Sequence, residues 1–152
     1  MPRQSAGLLM YRRRQGRAEV LLVHPGGPFW TRKDLGAWSI PKGEFTEEAP
    51  LDAAKREFHE ETGFTACGDF RPLEPVRQSG GKLVHAWAIE GDCDAEAAKS
   101  NTFTMEHPPR SGQIRTFPEV DRAAWFPLPQ AREKILKSQL PLLDQLENLL
   151  GR

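Results

Sequence analysis

Cysteine is scarce in this chain: Cys67 and Cys93 are the only two in 152 residues. They stand in no CxxC pair and no metal-ligand spacing, which argues against a thiolate metal site or a disulfide framework. They read as free, packing thiols of a reducing compartment, so a cytoplasmic location is expected. An excess of one charge is also lacking. Lys and Arg total 21 against 21 Asp and Glu, which leaves no global field for extended nucleic acid or an anionic membrane, and the expected partner is a small molecule. No long hydrophobic run occurs either, since the apolar patch in MPRQSAGLLMYRRRQGR is far too short for a signal core or a membrane span. Repeats, low-complexity tails and linkers are missing as well. What remains is 38% apolar content over 152 residues, enough for one domain covering 1–152 with a sizeable core, as a monomer or homodimer.

Ser5 to Tyr11 and Ala18 to His24 are apolar, β-prone runs around RRRQGR, which predicts two strands with the arginines at a solvated hairpin tip. The loop PGGPFWTRKDLG is rich in glycine and proline yet carries Phe29, Trp30 and Lys33, more aromatic and cationic content than a connector needs. It either faces a substrate or folds over its own apolar residues. Arg71 to Gln78, Lys82 to Ile89 and Thr102 to Glu106 predict further strands, with Ser79-Gly80-Gly81 as a hairpin turn. HPPRSGQIRTFPEVD reads as a long polar connection to the apolar Ala123 to Leu128. Ile135, Leu136, Leu140, Leu143, Leu146 and Leu150 then recur near helical spacing and predict a packed terminal helix.

Between these lies an acidic segment. Pro50 suits the first position of a helix and Gly63 the left-handed residue that ends it, predicting a helix over 50–62. Leu51, Ala54 and Phe58 form its buried stripe, and Phe64 folds back near Phe58. Glu57, Glu60 and Glu61 cluster on an adjacent sector at i, i+3 and i+4, where like charges repel. A divalent cation held by oxygen ligands would remove that repulsion; the alternative is a solvated face balanced by Lys55 and Arg56.

The run Arg56-Glu57-Phe58-His59-Glu60-Glu61-Thr62-Gly63-Phe64 fits R-E-[apolar]-x-E-E-x-G-[apolar], with PKG ahead of it and AAWFPL and a terminal helix after it. This resembles the signature of the Nudix hydrolases over most of the chain. It departs from the family pattern at one point: counting back from Arg56 makes Glu48 the upstream glutamate and leaves the loop after Gly43 one residue short.

The resemblance implies an α/β/α sandwich around a mixed, largely antiparallel sheet, cleaving a nucleoside diphosphate linked to another group with Mg²⁺ or Mn²⁺. By it, Glu57, Glu60, Glu61 and the Gly43 carbonyl would hold metal, Arg56 would orient the glutamates, and Lys42 would face the same site. A distant carboxylate is expected from Glu106, Glu119 or Asp121. Glu106 is preferred, because the loop after it has the glycine and prolines of an active-site wall. WSIPKGE resembles the stretch that opens the signature in family members acting on dinucleoside polyphosphates such as diadenosine tetraphosphate, with Trp30 stacking a base and Lys33 contacting phosphate. Nucleoside triphosphates, nucleotide sugars and the triphosphate end of RNA are the alternative substrates, and a binding module that has lost catalysis is the alternative class.

Overall fold

A computed structural model describes residues 3–151. The core is a six-stranded sheet in the order β4-β5-β1-β2-β8, with β3 also pairing on β1. β1 (Gln4–Arg14) and β2 (Arg17–Pro25) form an antiparallel hairpin, and β5 (Leu83–Glu90) runs parallel to β1. β4 (Arg71–Arg77) and β8 (Val120–Pro127) add antiparallel edges, and β3 (Lys42–Phe45) lies antiparallel to the start of β1. The expected mixed, largely antiparallel sheet is therefore present.

Side-chain alternation splits the sheet into two faces. Ala6, Leu8, Met10 and Leu21 point to one face and pack against Ala53, Ala54 and Phe58 of α1 (Pro50–Thr62). Leu9, Tyr11, Val20 and Leu22 point to the other, beneath Leu128 and Ala131 of α2 (Leu128–Lys134) and Leu142, Leu143 and Leu146 of α3 (Leu140–Leu149). One helix above and two below make the α/β/α sandwich. α1 has the expected bounds, with Pro50 in its first turn and Gly63 in the left-handed region at φ 82°. Its buried stripe is Ala53, Ala54, Phe58 and Thr62, with Leu51 only partly covered.

Three expectations are corrected. The arginines 12–14 belong to β1, because the turn is confined to Gln15 and Gly16 at positive φ, and Arg12 and Arg14 reach Asp92 across the strand ends. The stretch 107–121 is no simple connection, since β7 (Ile114–Pro118) pairs with β6 (Thr102–Glu106) in a separate two-stranded sheet. The terminal leucine stripe does not form one helix. Ile135 leaves α2 in extended conformation to bridge Trp38, and α3 restarts at Leu140 with Pro141 in its first turn. The break lets buried Gln139 accept from the Ile40 N–H at 3.0 Å and donate to Ser39 Oγ at 3.0 Å. That fixes the segment leading into β3.

Candidate active site

The β3 segment brings its backbone against α1. A side chain at Gly43 would overlap the Glu57 carboxyl group, so only glycine lets the strand and this glutamate approach so closely. Glu57 is 13% exposed. Burial pushes its carboxyl above the ordinary carboxylate range, while Arg56 pulls it down.

Arg56 fans across three glutamates. Its Nη1 donates to Glu57 Oε2 at 2.8 Å and Glu60 Oε2 at 3.2 Å, and its Nη2 and Nε reach Glu48 at 2.6 and 2.9 Å. The hydrogen bonds to Glu48 are the largest reason why the guanidinium is held further above its ordinary value. Glu48 thus keeps its contact with Arg56 despite the shortened loop. Glu61 accepts the Lys42 backbone N–H at 3.2 Å. Burial, with the neighbouring Glu57 and Glu119 charges, pushes Glu61 up to about 8, against the lowering effect of the Lys42 N–H. The Lys42 ammonium is pushed down, first by burial and then by Lys82.

Glu61 and Lys42 open onto a cavity of about 190 Å³ whose walls include Trp30, Pro25, Glu119 and Leu136. A wider cleft of about 750 Å³ lies elsewhere, between Arg12, Arg14, Asp92 and Trp125. Its arginines are already engaged by Asp92 and Glu19, and neither Lys42 nor a glutamate of α1 lines it. The smaller cavity is the one lined by Glu61, the carboxyl that burial raises.

Lys33 is exposed, its ammonium 5.1 Å from the Trp30 ring centre rather than in the cavity wall. Glu106 sits on the β6–β7 hairpin, where its carboxylate accepts the Arg110 and Gly112 N–H groups at 3.3 and 2.8 Å. Glu119, which follows β7 directly, lines the cavity, and Glu106 does not. No alternation marks this strand in IRTFP, because its two large apolar residues, Ile114 and Phe117, stand three apart.

Among the described residues, no three His, Cys, Asp or Glu side chains converge as a closed metal cage. The donor chemistry nonetheless suits a hard divalent cation. Glu57 and Glu61 are oxygen donors, both raised by burial and by neighbouring negative charge, with Glu60 one helical turn from Glu57 and the Gly43 backbone in contact with Glu57.

An acidic helix steadied by its own arginine, working from one face of an α/β/α sandwich onto an aromatic cavity, defines a class of domain for anionic substrates. The NUDIX domain model matches residues 1–146, and the chain belongs to the Nudix hydrolase family, whose members generally use divalent metal ions. It is 32% identical over 121 residues to the 8-oxo-(d)GTP phosphatase of Mycolicibacterium smegmatis; the match covers 77% of this chain and 30% of that protein. Among solved structures it resembles the NUDIX domain of Shewanella oneidensis NrtR complexed with ADP ribose (TM-score 0.70, 19% identity, covering 99% of this chain and 90% of that one). It also resembles a C. elegans Ap4A hydrolase binary complex (TM-score 0.66, 21% identity, 98% of each chain). NrtR has been solved with a 27mer DNA too (TM-score 0.61, 18% identity), in a chain of which 61% is covered.

Proposed function

We propose that this domain hydrolyses a phosphoanhydride bond of a nucleoside diphosphate linked to another group, with a dinucleoside polyphosphate such as diadenosine tetraphosphate as the preferred substrate. The observation that carries the reading is the convergence of Glu61, Glu119, Lys42 and Trp30 on one cavity beside the Arg56–Glu57–Glu60 cluster. Glu57, Glu60, Glu61 and the Gly43 carbonyl would hold Mg²⁺ or Mn²⁺. Bound there, the ion lowers the pKa of water and offsets charge on the phosphate oxygens. Lys42 meets the polyphosphate as a point charge, and Trp30 offers a face to a base. Arg56 keeps Glu57 and Glu60 in one orientation by bonding both. Glu119, which lines the same cavity, would take the proton from the attacking water.

A second reading is a nucleoside triphosphate carrying an oxidised purine, favoured by the phosphatase relative and by a cavity with a single aromatic wall. Turnover of diadenosine tetraphosphate, ATP and 8-oxo-dGTP with Mg²⁺, read by product mass, tests both. The expected outcome is fastest cleavage of the dinucleotide. No metal-dependent turnover of any of the three would overturn the proposal.

A further inference from the structure

His24 is fully buried, at 0% exposure, near the end of β2. Its Nδ1 lies 2.8 Å from Asp121 Oδ1 and its Nε2 lies 2.6 Å from the Lys33 carbonyl oxygen. Both ring nitrogens are thus engaged, one by a carboxylate and one by a backbone carbonyl, and His24 ties β8 to the loop that follows β2. Asp121 lies on β8, where Arg122 Nε also lies 3.9 Å from the same carboxylate oxygen. Trp38 packs edge-on against the ring at 5.2 Å and is itself tied by its Nε1 to Asp34, which Lys134 also engages.

These bonds end in the loop that carries Trp30. Backbone bonds run from Trp30 N–H to the Gly27 carbonyl at 3.3 Å and from Lys33 N–H to the Trp30 carbonyl at 2.9 Å. Fixing the Lys33 carbonyl therefore fixes the turn that holds Trp30. At the other end the Gly26 N–H donates to the Glu119 carbonyl at 2.9 Å, and Gly26 packs so closely on Pro118 that a side chain there would overlap it. One stretch of chain, 118–121, thus grips the loop at both ends and also supplies the cavity carboxylate.

We propose that His24, clamped between Asp121 and the Lys33 carbonyl, is a positioning residue that sets Trp30 over the cavity and thereby determines affinity for the nucleobase. The inference rests on the reading of that cavity as a nucleotide site. His24 does not line the cavity and bonds to neither Glu57, Glu60 nor Glu61, so its loss acts on binding and spares the chemical step.

The test has two arms. Without substrate, long-range ¹H–¹⁵N spectra of the folded protein should show a His24 ring N–H protected from solvent exchange; a freely exchanging ring proton would overturn the proposal. Amide exchange at Trp30 and Lys33 should quicken at least tenfold in Asp121→Ala and return towards wild type in Asp121→Asn, whose amide oxygen still accepts. Unchanged exchange would likewise overturn it. With diadenosine tetraphosphate, His24→Gln and Asp121→Ala should raise KM at least fivefold with kcat within twofold. Neither should raise KM further in a Trp30→Ala background. Additive effects, or a fall confined to kcat, would show that His24 does not act through Trp30. Should His24→Gln fail to fold, Asp121→Ala at the 32% exposed partner carries the measurement. If the wild type cleaves no nucleotide, the functional reading fails while the substrate-free arm still decides the clamp.

Discussion

Replacing Glu61 with Gln should flatten the pH dependence of stability in the metal-free protein. Burial pushes the Glu61 carboxyl up to about 8, so between the ordinary carboxylate range and that value the unfolded chain has released a proton that the folded chain retains. The stabilising contribution of this group is full at pH below the unfolded value and is lost as pH rises through about 8. Each pH unit in that window costs about 1.4 kcal/mol, so over roughly three units, with partial solvent access allowed for, wild type should lose roughly 2 to 4 kcal/mol attributable to Glu61. A glutamine carries no such proton, and its amide oxygen can still accept the Lys42 N–H. Urea denaturation with a chelator at pH 5.5, 7 and 8.5 (about one decade of proton activity or more between points) reads the difference between the two proteins, which cancels the other titrating groups. Mg²⁺ should reverse the trend in wild type, because a cation binds the ionised carboxylate and displaces its proton. The variant should gain less from metal and lose metal-dependent turnover. Equal pH slopes for the two proteins would refute the buried placement of Glu61, and near wild-type turnover would remove it from the site.

Other perturbations separate the remaining roles. Gly43→Ala should force Glu57 out of its slot and lower kcat by roughly 100-fold, the scale of a small misplacement at a catalytic centre, while circular dichroism still reports a folded protein. Lys42→Ala and Trp30→Ala should raise KM by an amount equivalent to roughly 1 to 3 kcal/mol with smaller changes in kcat. The lysine change should weaken all polyphosphates alike and the tryptophan change should depend on the base, so unchanged KM in steady-state assays would take both residues out of the binding site. Glu119→Gln should slow turnover by roughly 100-fold or more, in line with loss of a general base. Glu106→Gln should leave the rate within twofold, because that carboxylate serves the hairpin's own N–H groups; equal losses in the two variants would reject this assignment.

The acidic helix was readable to the residue, because Pro50 and Gly63 impose local backbone constraints that need no tertiary context. The three glutamates follow from helical periodicity once those ends are set. β7 was not readable in the same way. Most of its residues are exposed on a two-stranded hairpin, so no burial imposes an alternating pattern strong enough to separate a strand from a polar loop. With β7 hidden, the distance from Glu119 to the helix could not be judged, and Glu106 had the more suggestive flanks. The terminal leucines failed for another reason. Their spacing records which side is buried but not that Ile135 departs to meet Trp38, a demand made by a segment about a hundred residues earlier that overrides local propensity. His24 could be seen in the sequence only as the end of a strand; its two partners, Lys33 and Asp121, are brought together by the β2–β8 register.

The parallel pairing of β1 with β5 also orders events during synthesis. Gln4 finds its neighbour Leu83 only after about eighty more residues have left the ribosome, the kind of non-local pairing that slows folding. β2 waits longer still, since Glu19 pairs with Pro127 and Val20 with Phe126. Until β8 emerges, the Val20-Leu21-Leu22-Val23 edge has no partner on that side, and α1 already exists with only part of the platform it will rest on. A nascent chain halted after β5 therefore presents a bare apolar strand edge, the surface on which chaperones act and aggregates grow.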